Sequence, residues 1–298
     1  MGQIHLCETD DLIDIRYDNV FKAVFTKNTP ASQGALSKLI SALIGQEVSI
    51  VAIAANEPPI EDIRDRQIRF DINCRAENGE LINVEMSLNP DPFEPVRLEF
   101  HAGKLFTGQN IRGAGKTYED LKKSYQIAIL AKEFFFDDEA VIHNFEYYDS
   151  EHGISLNGRS RIITMELSKL DKLEEKPVEE MTGAEHWAVF FRYLTDKAKR
   201  GKINEIIECE EGIAMASEVL MTISRDEAER ARLMSELKYE LDTQSKITYA
   251  KRQGKLEGIL EGKLEGEKKG KLEGEQNIIN LLKSGKSPEE IIKNYETR

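Results

Sequence analysis

Two alternating runs of the same parity constrain this chain more than any other feature. Ile68, Phe70, Ile72 and Cys74 alternate with polar residues, as do Ile82, Val84, Met86 and Leu88, and Asn78-Gly79 lies between the runs. Period-two alternation around a glycine-containing turn reads as an antiparallel hairpin with one apolar face. A slip of one residue would send every side chain to the opposite face, so the apolar pattern sets the register. The apolar positions are all even-numbered, and facing residues must therefore sum to an even number. A two-residue Asn78-Gly79 loop gives odd sums and is disfavoured. A three-residue loop, Glu77-Asn78-Gly79 with Gly79 left-handed, pairs Phe70 with Met86 and Ile72 with Val84. On the other face it pairs Asp71 with Glu85 and Arg69 with Ser87.

Two carboxylates directly opposite each other repel and destabilise a sheet unless a cation lies between them. A metal ion is the natural explanation for Asp71 and Glu85. Mg²⁺ takes one or two carboxylates together with waters and phosphate oxygens, and it stabilises charge on a phosphoryl group. The alternative is a solvated polar face on which the two acids pair by chance.

The rest of the chain supplies helices and strands around this hairpin. Phe21 and Phe25 with Val20 and Val24, then Leu36, Leu39, Ile40, Leu43 and Ile44 before Gly45, predict two opening helices. Val48 to Ala55 reads as a strand ended by Glu57-Pro58-Pro59. Pro95 to Gly113 reads as a helix with Val96, Phe100, Leu105 and Phe106 on its apolar side, closed by Gly113-Ala114-Gly115. Tyr125 to Leu130, Ala140 to Tyr148 and Ile162 to Leu167 read as strands. From Lys176 to Tyr249 the pattern is helical and charged, with Trp187, Phe190, Phe191 and Leu194 on one face. The expected architecture is α/β: a mixed sheet flanked by helices, with a C-terminal helical extension.

Glycine then recurs at every fourth position (Gly254, Gly258, Gly262, Gly266, Gly270, Gly274), with Leu256, Leu260, Leu264 and Leu272 in the same register. A helix-interior glycine costs roughly 1 kcal/mol relative to alanine, so six of them disfavour an isolated helix. The ladder is either a contact surface for a second helix in a homo-oligomer or a frayed, charged linker before two last helices, Glu275 to Ser284 and Pro288 to Tyr295.

Other chemistries find little support. Cys7, Cys74 and Cys209 form no CxxC pair. The five histidines (His5, His101, His143, His152, His186) lack zinc-ligand spacing. Gly113-Ala114-Gly115-Lys116-Thr117 lacks the earlier glycine of a Walker loop, and no organic cofactor is expected. No run of about 18 apolar residues suggests a membrane span, and the polar first residues do not read as a secretory signal, so the expected location is cytoplasmic. A net charge of −13 argues against coating of nucleic acid by bulk electrostatics, and any DNA contact must be local.

Arg69-Phe70-Asp71-Ile72, the Gly79-Glu80 turn and Ile82-Asn83-Val84-Glu85-Met86-Ser87 resemble the PD-(D/E)XK nuclease superfamily. More narrowly, Tyr17 to Phe25 (YDNVFKAVF), Arg97 and Tyr118-Glu119-Asp120-Leu121 are similar to the Rpn family of recombination-promoting nucleases and transposases. The likeness runs from about Tyr17 to Leu173, and the glycine-rich tail also resembles members of that family. It implies a restriction-endonuclease-like core and hydrolysis of DNA phosphodiesters with Mg²⁺, or Mn²⁺ in its place. Asp71 and Glu85 match the metal-binding acids. Asp18 falls where many members carry a further acid, although an aspartate there also suits a helix N-cap.

This chain departs from the pattern at Ser87, where such nucleases usually carry Lys or Gln. A serine hydroxyl donates a hydrogen bond but brings no positive charge. Arg69, its partner in the register, either supplies that charge or forms a salt bridge with the acids. Arg97 is placed to reach a DNA phosphate. The expected organisation is a tail over 1–16, a nuclease-like domain over 17–175, a helical module over 176–250 and a Gly-repeat helical tail or linker over 251–298. The alternative function is a catalytically weakened, DNA-binding or oligomeric relative.

Overall fold

The computed structural model of the protein describes residues 4–54, 70–111, 115–132 and 135–296. They form two units, Met1–Glu236 and Leu237–Arg298.

In the first unit α1 (Asp18–Phe25) buries Val20, Phe21, Val24 and Phe25. Next comes α2 (Pro30–Ile44), opened by Thr29, whose side chain accepts from the Ser32 N–H, and by Pro30 in its first turn. It closes at Gly45, which takes the left-handed φ of 78° expected of a C-terminal glycine. After β1 (Ile50–Ile53), β2 (Ile72–Ala76) and β3 (Leu81–Ser87) come α3 (Glu94–Thr107) and β4 (Ser124–Leu130). There follow β5 (Ile142–Phe145), a small separate hairpin of β6 (Tyr148–Asp149) and β7 (Ile154–Ser155), and β8 (Ser160–Glu166).

The main sheet has six strands in the order β1-β2-β3-β4-β8-β5. Its centre is parallel, β3 with β4 and β4 with β8. The β1–β2, β2–β3 and β5–β8 pairs are antiparallel. One face carries Ile72, Cys74, Ile82, Val84, Met86, Ile127, Ile129, Ile163 and Met165, all within the main core with residues of α1 and α2. The other face carries Asn83, Glu85, Gln126, Thr164 and Glu166, all buried, and α3 packs across it on Leu98, Ala128 and Leu130. A buried polar face beneath a helix is the setting of the site.

Three sequence expectations change here. The helix over Pro95 to Gly113 ends at Thr107, with Gly108 as its cap, and residues 112–114 of its expected terminus lie outside the described residues. Its inner face is Leu98, His101, Ala102 and Leu105, whereas Val96 and Phe100 are exposed. Two apolar stripes compete on that helix, and the sheet selects the one that also carries His101. Of the expected 1–16 tail, the described residues 4–16 pack rather than trail: Leu6, Ile13 and Ile15 are buried, and the Leu6 N–H donates to Asn204 Oδ1 at 2.9 Å.

The helices after Lys176 also share the first unit's core instead of forming a module of their own. They are α5 (Gly183–Tyr193), α6 (Arg200–Cys209) and α7 (Glu211–Arg225); the short α4 (Asp171–Glu174) ends just before that boundary. α5 is opened by a Thr182–Glu185 capping box and sets Phe191 5.9 Å from Phe21 and Trp187 5.9 Å from Phe25, ring centre to ring centre. Composition marks a boundary near Lys176, but the apolar faces ignore it.

α8 (Glu227–Lys283) begins in the first unit; the rest of it, with α9 (Pro288–Glu296), lies in the second. The glycine ladder is helical throughout, and a Cβ added at any of its six glycines would meet no atom within 4 Å. Leu256, Ile259, Leu260, Leu264 and Leu272 are exposed.

Candidate active site

The hairpin holds the register that the parity requires. Ile72 pairs with Val84, Asn73 with Asn83, Cys74 with Ile82 and Arg75 with Leu81. The turn closes as Ala76 N–H donates to Glu80 O at 2.9 Å, with Gly79 left-handed at φ 86°. The ladder does not extend to Phe70 and Met86. The chain bends at Asp71, and the Phe70 ring packs edge-on against His101, 5.6 Å between centres, instead of joining the apolar face. Asp71 sits one step beyond the Ile72–Val84 pair, and its Oδ2 accepts from the Met86 N–H at 3.3 Å.

Glu85 is 2% exposed in the centre of β3. Its Oε1 lies 2.6 Å from His101 Nδ1 and accepts from Asn83 Nδ2 at 2.9 Å. Asn83 Nδ2 also donates to Gln126 Oε1 at 2.9 Å, so the neighbouring strand steadies the amide that orients Glu85. Arg97 places an amino group 3.4 Å from Glu85 Oε2 and also pairs with the buried Glu94. Burial pushes the Glu85 carboxyl up, but the His101 hydrogen bond and the Arg97 charge outweigh it and hold the group below its ordinary range.

Asp18 opens α1 but does not cap it: the N-cap is Tyr17, and no side chain fills that role. Asp18 Oδ2 instead accepts from Lys22 Nζ at 2.7 Å, one helical turn on. Lys22 Nζ is also 3.1 Å from Asp71 Oδ1, so a single ammonium joins the helix acid to the hairpin acid. Asp71 is pushed up to about 7, by burial first and then by the charge of Asp18; Lys22 opposes the shift and Glu85 adds to it. An ionised Asp71 is thus short of positive charge.

That deficit is the condition in which a carboxylate cluster accepts a cation. Asp18 Oδ1 and Glu85 Oε2 are buried with no hydrogen-bond partner, although Oε2 also lies 3.4 Å from the Arg97 guanidinium. Among the described residues no three His, Cys, Asp or Glu side chains form a ready-made metal cage. Mg²⁺ does not require one, since it keeps several waters and takes one or two carboxylates. The residues therefore fit a divalent cation held partly by water.

Ser87 ends β3, half-buried, on the Glu85 side of the strand and opposite Leu130 of β4. Arg69 lies outside the described residues. Arg97 stands beside the acids, 43% exposed. Sequence reasoning missed Lys22, His101, Asn83 and Gln126. Three of them carried a spacing signal: Lys22 four residues after Asp18, His101 four after Arg97, and Asn83 two before Glu85 on the same strand face. Gln126 becomes a neighbour only through the parallel β3–β4 pairing.

A family model described as PD-(D/E)XK nuclease family transposase matches residues 15–250. The chain belongs to this family. The match takes in α1, the hairpin, α3 and the helices that complete the core, and it agrees with the family resemblance that the sequence carries. No curated protein and no solved structure shows a significant match. Membership gives a nuclease or transposase type of function, phosphodiester hydrolysis as the chemistry and nucleic acid as the substrate class. Among the described residues no helix is long and apolar enough to cross a membrane.

Proposed function

We propose that this PD-(D/E)XK family member is a metal-dependent DNA endonuclease of the recombination-promoting type, acting in the cytoplasm, with Asp71 and Glu85 as ligands of Mg²⁺ or, in its place, Mn²⁺. The supporting observation is the arrangement of charge: Asp71 one step beyond the Ile72–Val84 pair and bonded to the Met86 N–H, Glu85 on β3, Lys22 joining Asp71 to Asp18, and Arg97 on Glu85. Bound there, the cation would acidify a water and offset charge on the phosphate.

The protein groups would do the rest. The Met86 N–H fixes the Asp71 carboxylate, and His101 and Asn83 fix that of Glu85, so neither acid reorganises during the reaction. Arg97, half exposed at the edge of the site, has donors to offer a DNA phosphate. Ser87 contributes a hydroxyl to the positioning of water. We further infer that the protein works as a homo-oligomer, which the uncovered glycine ladder and exposed leucines of α8 support.

Plasmid nicking is the direct test. The wild-type protein should nick supercoiled DNA with Mg²⁺ and not with EDTA, and Asp71→Ala should lose on the order of 10²-fold or more in rate. Ser87 favours one rival, a weakened DNA-binding relative. DNA binding without cleavage in both Mg²⁺ and Mn²⁺ would establish that rival instead.

A further inference from the structure

Lys22 is the one charged group that touches both Asp18 and Asp71 among the described contacts, at 2.7 and 3.1 Å. The 3.6-residue repeat of α1 puts Asp18 and Lys22 on one face, so the helix acid holds the ammonium in place while it reaches the hairpin. The second oxygen of Asp71 is already engaged by the Met86 N–H. The oxygen left for any incoming cation, Oδ1, is the one that Lys22 occupies. Two positive charges that close repel strongly in a partly buried site. A divalent ion on Asp71 and the Lys22 ammonium in its present position therefore exclude each other. Arg97 is not in the same situation, because it lies across the site on Glu85 and Glu94.

We propose that Lys22 is a tethered counter-ion: its ammonium fills the cation position beside Asp18 and Asp71 and is exchanged for the divalent metal. The inference rests on the reading of Asp71 as a metal ligand. The Lys22 side chain is 30% exposed, so its four-carbon stem has a route outward when the ion arrives. The exchange explains how the Asp18 and Asp71 carboxylates are kept together without metal. It also leaves a mobile positive charge at the mouth of the site, which Ser87 does not supply.

The test compares Mn²⁺ binding by the full-length wild type and Lys22→Met, measured by calorimetry and by the electron spin resonance of free Mn²⁺. Removal of the competing charge should tighten Mn²⁺ binding on the order of 10-fold or more. In EDTA, Lys22→Met should melt below wild type, and saturating Mn²⁺ should close the gap. A readout on the unaltered protein runs in parallel: reductive methylation followed by peptide mass spectrometry should find Lys22 protected in EDTA and reactive with Mn²⁺ bound. Equal or weaker Mn²⁺ binding by the variant, or Lys22 reactivity unchanged by bound Mn²⁺, overturns the exchange and leaves the metal site standing. Absence of Mn²⁺ binding in both proteins overturns the exchange and the metal reading together.

Discussion

At the scale of single residues the site is a problem of charge balance. Asp71 holds its proton up to about pH 7 because burial and the Asp18 and Glu85 charges outweigh Lys22. An unfolded aspartate ionises near 3.8, so between those values the folded state holds a proton that the unfolded state has released. Stability then falls as pH rises through that window, and the penalty is complete above it. Asp71→Asn removes the penalty. In EDTA at pH 8 the variant should be more stable than wild type by about 1–3 kcal/mol. The difference should vanish below pH 4, as thermal melts at the two pH values would reveal. Added Mn²⁺ should raise the melting temperature of wild type and not of the variant. Ser87 is the second residue to test. Ser87→Lys places a cation two residues after Glu85 on the same face, and Mg²⁺-dependent nicking should rise on the order of 10-fold. An unchanged rate would mean that another group already carries the positive role.

At the scale of elements the β2–β3 hairpin sets the geometry of the acids, and its turn sets the hairpin. Gly79 holds a φ of 86°, and a Cβ there would lie 3.3 Å from the Lys122 side chain. Gly79→Ala should cost about 1–2 kcal/mol through the left-handed backbone alone. Because the turn fixes register, the same change should weaken Mn²⁺ binding, which calorimetry would detect; intact binding in a destabilised variant would separate the turn from the site. α3 acts as a lid on the polar face. It sends His101 and Arg97 to Glu85 from one stripe and leaves Phe93, Val96 and Phe100 exposed on another. Choosing between those stripes needs the position of the sheet, which no helical periodicity encodes.

At the scale of the whole molecule the main core of the first unit is built from both ends of its sequence. Phe21 and Phe25 meet Trp187 and Phe191, and the N-terminal segment is bonded to Asn204 and to Ser224. The second unit presents six glycines and a row of exposed aliphatic residues along one continuous helix. If a second copy covers that helix, truncation after Tyr249 should lower the oligomeric state while the first unit keeps its thermal transition. Multi-angle light scattering would show it, and an unchanged mass would give the tail a different role.

The hairpin from Ile72 to Val84, its three-residue turn and the left-handed Gly79 were determined by the sequence itself, because parity and turn chemistry are local and the apolar residues of both strands favour one register; beyond Ile72 the chain bends and Phe70 turns to His101 instead. The family was legible for a similar reason: the residues that carry the resemblance lie in short contiguous segments, Tyr17 to Phe25 and the hairpin. Lys22, His101 and Gln126 joined the site only in the tertiary structure. Their contacts depend on how α1, α3 and β4 are placed against the hairpin, and that placement comes from burial of distant apolar faces such as Phe21 against Phe191 and Leu98 against Ala128. The same long-range burial erased the boundary expected near Lys176 and drew Leu6, Ile13 and Ile15 into the core, since charge and composition mark where a chain changes character but only packing decides which segments share an interior.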